Sequence, residues 1–163
     1  MKSKPVYTTL TLDTTAQRHL FLTRGPGKSA ALRLLCGHPD VEALVLDGPP
    51  DLNVVLAEAG MDTAFYVAGP EVFLWQAANV LRRAGIEGRR IRQELAGSKA
   101  RTVYCVHCST LNEGVTTTIY RCAGCGMALT VRDHFSRPLG AYAGVIVDAE
   151  SPGCVPEPET AYV

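Results

Sequence analysis

The sequence predicts an α/β protein, in which a small three-layer domain with a parallel sheet is followed by a β module that resembles a zinc ribbon. Three observations lead to this fold class. Apolar runs alternate with helical patterns before residue 97, and two Cys-x-x-Cys pairs lie after it. The chain has 163 residues, which is long enough for one good core and a small module stapled by a metal.

Residues 1–97 are predicted to alternate between strands and helices. The expected strands are 19–23, 41–46 and 63–68, with 7–12 as an additional edge strand, and the expected helices are 28–36, 52–59 and 70–84. Gly85 ends the last helix, and Pro70 suits its first turn. Because the strands are continuously apolar and lie between helices, we expect a parallel sheet that is covered on both faces.

Residues 98–150 form the predicted metal-binding module. Short β-prone runs at 102–104 and 115–120 precede the two cysteine pairs, and a third run at 128–131 follows the second pair. In such a ribbon, the metal replaces a core that is too small to fold alone. Residues 151–163 contain three prolines and two glutamates, which predicts a flexible acidic tail.

Four cysteines are the candidate metal ligands: Cys105, Cys108, Cys122 and Cys125, with thirteen residues between the two pairs. Four thiolates are typical of a closed structural zinc site, which leaves no coordination position for a substrate. Iron in a rubredoxin-like site uses the same ligands and stays as the alternative metal. Two disulfides, or four unrelated thiols, are the third interpretation.

The residues beside the cysteine pairs add local detail. Gly126 follows the second pair, and glycine tolerates the positive φ that lets backbone N–H groups point at sulfur. Ser109 takes this place after the first pair. We expect His107 to be a surface residue or to lie behind the ligands, because four cysteines already complete a site.

Two glycine turns at strand ends are candidate cofactor contacts. The first holds Arg24, Gly25, Gly27 and Lys28, and the second holds Gly69, Pro70 and Glu71. Residues 24–29 resemble part of a phosphate loop, but Leu22 stands where that motif needs a glycine, so we do not expect ATP or GTP binding. A helix start can still bind an anion through free N–H groups. A plain strand-to-helix turn is the alternative interpretation.

The charges of the chain limit its partners. Lysine plus arginine and aspartate plus glutamate are balanced at 16 each, so we do not expect nucleic acid as a partner. Five arginines nevertheless cluster locally: Arg82, Arg83, Arg89, Arg90 and Arg92. They are interpreted as a solvated surface, with a docking face for an acidic redox partner or a nucleic-acid contact as alternatives.

Residues 131–137 are predicted to form an interface strand or loop. Asp133 beside His134 suggests acid–base chemistry, but adjacent residues on an extended chain point in opposite directions. Phe135, Tyr142 and the arginines of this segment are expected anchors, because aromatic residues and arginine are enriched at interfaces.

The compartment is predicted from the cysteines and the N-terminus. Cys36 and Cys154 lie outside the two pairs and far apart, which favours reduced thiols. The first residues lack the apolar core of a signal peptide, and no apolar stretch is as long as a membrane helix. The sequence therefore predicts a cytoplasmic protein without membrane contact.

Residues 63–95 resemble the last strand and helix of a ferredoxin–NADP reductase-type nicotinamide domain. The match consists of residues 66–73 (YVAGPEVF), 84–86 (AGI) and 91–94 (IRQE), with Ala68 in the place of the family cysteine. The glycine-rich pyrophosphate turn and the flavin motif of that family are missing. The resemblance implies a shortened reductase domain that lacks its own flavin and transfers no hydride by itself.

The whole chain, and residues 104–145 most specifically, resembles the small subunit of bacterial dimethylamine monooxygenase. The motifs are residues 104–108 (YCVHC), 120–125 (YRCAGC), 131–137 (VRDHFSR) and 140–142 (GAY). This subunit family accompanies haem-dependent oxidative N-demethylases. The resemblance implies that a partner subunit holds haem and oxidises the secondary amine with O2, and that a reductase subunit carries NADPH, FMN and a [2Fe–2S] centre.

The chain itself would then be a non-catalytic accessory subunit that bridges the reductase and haem subunits through a module stiffened by zinc. Two alternatives remain open. The first is an iron–thiolate electron carrier in the same complex, and the second is a zinc-ribbon protein that binds nucleic acid.

Overall fold

The computed structural model describes residues 4–49 and 51–163, and it divides into two compact units. One unit comprises residues 7–97, and the other comprises residues 98–163 with residues 4–6. The elements of the first are β1 (Arg18–Thr23), α1 (Gly27–Cys36), β2 (Ala43–Asp47), α2 (Leu52–Glu58), β3 (Thr63–Gly69), α3 (Glu71–Arg83) and β4 (Ile91–Leu95). The elements of the second are β5 (Arg101–Cys105), β6 (Leu111–Val115), β7 (Ile119–Arg121), β8 (Ala128–Ser136) and β9 (Ala141–Ile146). The predicted α/β class is confirmed.

The first unit is a four-stranded parallel sheet with helices on both faces. Its strand order is β2-β1-β3-β4. On one face, α1 packs its small residues against Phe21 and Tyr66, and on the other face α2 and α3 cover Leu20 and Leu22. Because β2 and β3 lie on opposite sides of β1, the winding reverses between β1 and β3. Such a switch point is where open α/β sheets bind ligands.

The edge strand predicted at residues 7–12 is wrong, because the structure has no strand there. The segment is held by side chains instead of a backbone ladder. Glu94 accepts a hydrogen bond from the Leu10 N–H at 2.7 Å, and Arg92 pairs with Asp13 at 3.0 Å. Both partners come from β4, so this segment crosses the β4 edge without pairing with it.

The second unit is a five-stranded mixed sheet in the order β6-β5-β9-β8-β7. β5 and β6 form one antiparallel hairpin, and β7 and β8 form another. β9 joins the hairpins, because it runs parallel to β5 and antiparallel to β8. The single strand expected at 115–120 is wrong, since its two ends belong to β6 and β7 at opposite ends of the order. Residues 116–118, three threonines, lie between β6 and β7 and belong to neither strand. The Thr117 hydroxyl donates a hydrogen bond to the Ile119 carbonyl.

The segment predicted as an interface belongs mostly to β8, and its aromatic anchors are core residues. Phe135 and Tyr142 are 5% and 1% exposed, and their rings pack edge to face with centroids 4.8 Å apart. Asp133 pairs with Arg101 at 3.4 Å, while His134 is exposed. The burial of both rings removes them as docking anchors.

The end of the chain is attached to the second unit. The Thr118 N–H donates to the Glu159 carbonyl, and the Thr116 carbonyl accepts from the N–H of Tyr162. Buried Arg101 lies between two rings, with its guanidinium carbon 3.8 Å from the centroid of Tyr162 and 3.9 Å from that of Tyr142. The mobility expected for residues 151–163 stays a prediction, but these contacts attach Tyr162 to the second unit.

Membrane insertion through a helix has no candidate among residues 4–49 and 51–163. No helix there is both long enough and apolar enough to span a bilayer.

Replacing Tyr162 by alanine is expected to lower the free energy of unfolding by about 1–2 kcal/mol, because it uncovers one face of the Arg101 guanidinium. Tyr162→Phe keeps the ring and should behave like the unmodified chain. Urea unfolding of the metal-loaded full chain measures both variants. Equal stability of Tyr162→Ala and the unmodified chain would show that the ring does not hold the C-terminus.

Candidate metal centre

Four cysteine sulfur atoms converge at one end of the second unit. All four lie within 4.8 Å of one another, with Cys105 and Cys125 at 3.9 Å and Cys108 and Cys122 at 3.6 Å. A tetrahedron with metal–sulfur bonds of about 2.3 Å has edges of about 3.8 Å. The four predicted ligands therefore fit one tetrahedral ion. The sulfur atoms of a disulfide lie about 2 Å apart. These sulfurs are farther apart, so the structure does not contain the two disulfides of the alternative interpretation, and all four cysteines are free thiols.

Two turns of matching geometry deliver the sulfurs. The N–H of Ser109 donates to the Cys105 carbonyl, and the N–H of Gly126 donates to the Cys122 carbonyl, both at 2.9 Å. Ser109 and Gly126 have φ values of 63° and 72°. The positive φ expected at Gly126 is thus confirmed. Ser109 adopts the same conformation despite its Cβ, at a cost of roughly 1 kcal/mol, and Tyr104 donates a hydrogen bond to its hydroxyl.

Gly124 is a second glycine that the site requires, and no pattern in the sequence singles it out. A Cβ at this position would lie 2.1 Å from the Thr110 hydroxyl oxygen and 3.2 Å from the Cys108 sulfur. Any side chain here would push the two turns apart. The glycine therefore lets the second turn close against the first.

Asn112 joins the two turns from behind, and sequence reasoning missed it. Its buried amide nitrogen lies 3.6 Å from the Cys122 sulfur and also donates to the Val103 carbonyl at 3.3 Å. Its side-chain oxygen accepts the Ala123 N–H at 2.8 Å. One side chain on β6 thus orients a ligand and the backbone of the opposite hairpin. Asn112 is not part of a recognisable sequence pattern such as Cys-x-x-Cys, so only the fold identifies its role.

The environment of the sulfurs favours thiolates unevenly. Burial raises the pKa of Cys122, but N–H groups of Cys125 and Gly124 and the Asn112 amide outweigh it and lower that pKa to about 6. The Thr110 hydroxyl and N–H lower the pKa of Cys108. The Met127 N–H favours the Cys125 thiolate, yet burial and the neighbouring sulfurs raise its pKa. Four close thiolates repel one another, and a bound cation would relieve this repulsion.

Tyr120 places a buried phenol beside the sulfurs. Its ring packs on Gly144, where a Cβ would come within 2.9 Å of the phenol oxygen. Burial raises the pKa of Tyr120 above its usual value, and negative charge on the four cysteines raises it further. The group stays protonated, and it has no hydrogen-bond partner among the described residues. His107 is exposed and lies outside the four-sulfur cluster.

The two glycine turns predicted as cofactor contacts meet at the switch point between β1 and β3. The Arg24 N–H donates to the Ala68 carbonyl at 3.1 Å. A Cβ on Gly27 would lie 1.9 Å from that same oxygen, so the helix start rests directly on the end of β3. The turns are therefore neighbours, which the sequence did not show.

Several groups at these turns are already used by the fold. The N–H groups of Gly27, Lys28 and Ser29 each donate to a carbonyl three residues earlier. Glu71 is buried and accepts a hydrogen bond from the Tyr7 hydroxyl at 2.8 Å. The helix start thus offers fewer donors to an anion than expected, although Arg24 and Lys28 remain exposed.

The predicted basic cluster is partly structural. Arg90 donates to the carbonyls of Gly60 and Thr63, and Arg92 pairs with Asp13. Arg82 lies over the Trp75 ring. These arginines stabilise the first unit, so the five positions do not form one solvated patch.

Two comparisons with known proteins match this chain. The family model "Dimethylamine monooxygenase subunit DmmA-like, C-terminal domain" matches residues 102–145, which include all four cysteines. The chain is also 34% identical over 146 residues to the "Heme-dependent oxidative N-demethylase delta subunit" of Ectopseudomonas mendocina (strain ymp), covering 84% of this chain and 83% of that protein. No solved structure matches significantly.

Replacing Asn112 by alanine is expected to weaken metal binding about tenfold or more, the usual range for a residue that orients a ligand. The control is Glu113→Ala, since Glu113 is adjacent and exposed. Competition with a chromophoric chelator measures the affinity of each variant. Unchanged affinity in Asn112→Ala would remove Asn112 from the support of the site.

Proposed function

The chain belongs to the family of the heme-dependent oxidative N-demethylase delta subunit, and from this we propose that it is a non-catalytic accessory subunit of a multi-subunit haem-dependent amine monooxygenase. The observation that carries the proposal is the closed set of four sulfurs in a family-matched module. Four protein ligands leave no position for substrate on a tetrahedral ion. The module therefore supplies structure instead of chemistry.

Zinc is the proposed metal, held by Cys105, Cys108, Cys122 and Cys125. The sulfur separations suit it, and zinc would cross-link the two hairpins without redox chemistry. Asn112 and the turn N–H groups orient the sulfurs from outside the ligand set. A tetrahedral iron–thiolate site has the same donor set, so an electron carrier is the alternative. Reduced thiols are needed in either case, which supports a cytoplasmic location.

The metal end of the second unit also offers a surface for a partner. Three apolar side chains beside the two turns are exposed: Val106 by 53%, Leu111 by 47% and Met127 by 37%. Exposed apolar residues grouped at one place are typical of docking sites. We therefore propose that this end contacts a neighbouring subunit. Loss of the metal would separate the two turns and their apolar side chains, and would weaken this contact.

Partner subunits would hold the remaining cofactors of the complex. Haem and amine oxidation belong to one partner, and NADPH, FMN and the [2Fe–2S] centre belong to a reductase. This chain would bridge the two. The four clustered cysteines form a single-ion site, and the flavin motif is missing from the sequence. Nucleic-acid binding is less well supported, because Arg90 and Arg92 are engaged within the first unit.

A nucleotide contact at the switch point is a second proposed role. The observation in its favour is that the turns of β1 and β3 adjoin there, with Arg24 and Lys28 exposed beside them. Gly25, Gly27, Gly69 and Pro70 would bring backbone close to a phosphate, whereas buried Glu71 would act only by positioning. The first unit would then help a nicotinamide nucleotide bind within the complex.

Replacing Cys122 by serine is expected to abolish metal binding, unfold the second unit and prevent assembly with the haem and reductase subunits. Cys154→Ser is the matched control, because Cys154 is exposed and outside the cluster. Metal analysis, a visible spectrum and reconstitution from purified subunits give the readouts. One colourless zinc per chain supports a structural role, whereas iron with charge-transfer bands supports the carrier. Normal assembly and turnover of Cys122→Ser would refute the docking role.

Replacing Arg24 and Lys28 together by glutamine is expected to weaken NADPH binding by about tenfold, because two cations leave the phosphate site. Arg83→Gln, which removes another exposed arginine, serves as control. Calorimetric titration of the full chain, alone and in the complex, measures the affinity. If NADPH binds the double variant as tightly as the unmodified chain in both settings, the switch point is not a nucleotide site.

A further inference from the structure

The two edges of the parallel sheet are protected differently. At one edge, the segment before β1 crosses β4. The Leu10 N–H donates to Glu94 of β4, and Asp13 pairs with Arg92 of β4. At the other edge, β2 pairs with β1 alone among residues 4–49 and 51–163. An open edge presents unpaired N–H and C=O groups, which can accept a further strand. The β2 edge is therefore the place where this sheet can be extended.

Leucines of β2 line this edge on the face that carries α2. Leu44 is 39% exposed. Leu44 lies on the same face as Leu46, which packs into the core that includes Val55 of α2. Leu44 is not needed to fill that core. Together, Leu44 and the partly buried Leu46 make an apolar strip along the unpaired strand β2.

A groove continues the strip at the start of β2. It has a volume of about 270 Å³, and its lining includes the apolar Leu20 and Leu44, the carboxylates of Glu42 and Glu58, and the cation of Arg18. This volume accommodates one long side chain. The leucines suit the methylene stem of a lysine or arginine, and the two glutamates suit its charged end.

Carboxylates outnumber cations around this edge, although Arg18 lines the groove and Lys28 lies near Asp47. Between Arg33 and Arg82 the sequence has seven aspartates and glutamates and no lysine or arginine. Two of these carboxylates, Glu42 and Asp47, flank β2, and Glu58 ends α2. Lys28 approaches Asp47 only at 3.9 Å, and both side chains are about half exposed. This excess of carboxylates therefore favours a basic partner over an acidic one.

We infer that the β2 edge and this groove bind an extended segment of a partner subunit, with apolar residues at alternate positions and a lysine or arginine that enters the groove. The inference rests on the proposed role as an accessory subunit. Backbone pairing along β2 supplies the contact, and the acidic rim selects the segment. It is a second docking surface, on the first unit and separate in sequence from the metal-binding turns.

Charge argues against a second copy of this chain as the occupant. Antiparallel pairing of two β2 strands would bring the Glu42 end of each strand against the Asp47 end of the other. Like charges opposite each other destabilise a pair of strands. The same carboxylates stabilise a strand that carries basic residues, so a different protein fits better than a copy.

The test measures binding of the full metal-loaded chain to the purified haem subunit and, separately, to the purified reductase subunit. Leu44→Lys should weaken binding to one of them at least tenfold, because it places a cation in the apolar strip. Leu32→Lys is the matched control, since Leu32 is similarly exposed, at 49%, on α1. Glu42→Gln with Glu58→Gln should weaken the same binding and reduce its salt dependence. Hydrogen exchange of residues 43–47 should slow in the complex.

Each contrary result has a distinct meaning. If the unmodified chain binds a partner and Leu44→Lys binds equally well with no exchange protection in β2, the inference is overturned while the accessory role stands. If the unmodified chain binds neither subunit, both are overturned. If the chain is a dimer that Leu44→Lys converts to a monomer, the edge serves a second copy and the proposed partner is wrong.

Discussion

The closeness of four sulfur atoms constrains the whole second unit. Each sulfur is held beside three others, so four thiolates there would repel one another unless hydrogen bonds and a cation offset the repulsion. The small cluster of Leu129, Tyr120 and Ile146 packs directly against the cysteines and provides little apolar area of its own. The strands therefore depend on the turns for their register. Asn112 and Gly124 matter for the same reason, because they let two separate hairpins approach within hydrogen-bonding distance.

The first unit is stabilised by a different kind of contact. β3 is buried along its whole length, and helices cover both faces of the sheet. This burial needs no metal. The two units thus offer different surfaces to partners. One presents apolar residues beside rigid turns, and the other presents an open strand with acidic flanks, which is consistent with a subunit that connects proteins.

Some residues that attract attention in the sequence serve the fold. Arg90 donates to a backbone carbonyl at the start of β3, and Glu71 accepts a hydrogen bond from Tyr7, which lies 64 residues away. Phe135 and Tyr142 pack against each other. Long polar side chains and aromatic rings can satisfy internal groups as readily as partner groups. The residue type therefore does not show whether a side chain serves the fold or a partner. Its contacts in the structure show this.

The sequence by itself determined the alternation of strands and helices, the four cysteines that cluster and the family resemblance, because these depend on local periodicity and fixed spacing. It located β1, β3 and the three helices closely, and it indicated the positive φ at Gly126. Only the tertiary structure decided that residues 115–120 divide between two strands and that Asn112 supports Cys122. It also decided that the β2 edge stays open while β4 is covered. These features depend on contacts between distant residues, which no local pattern records.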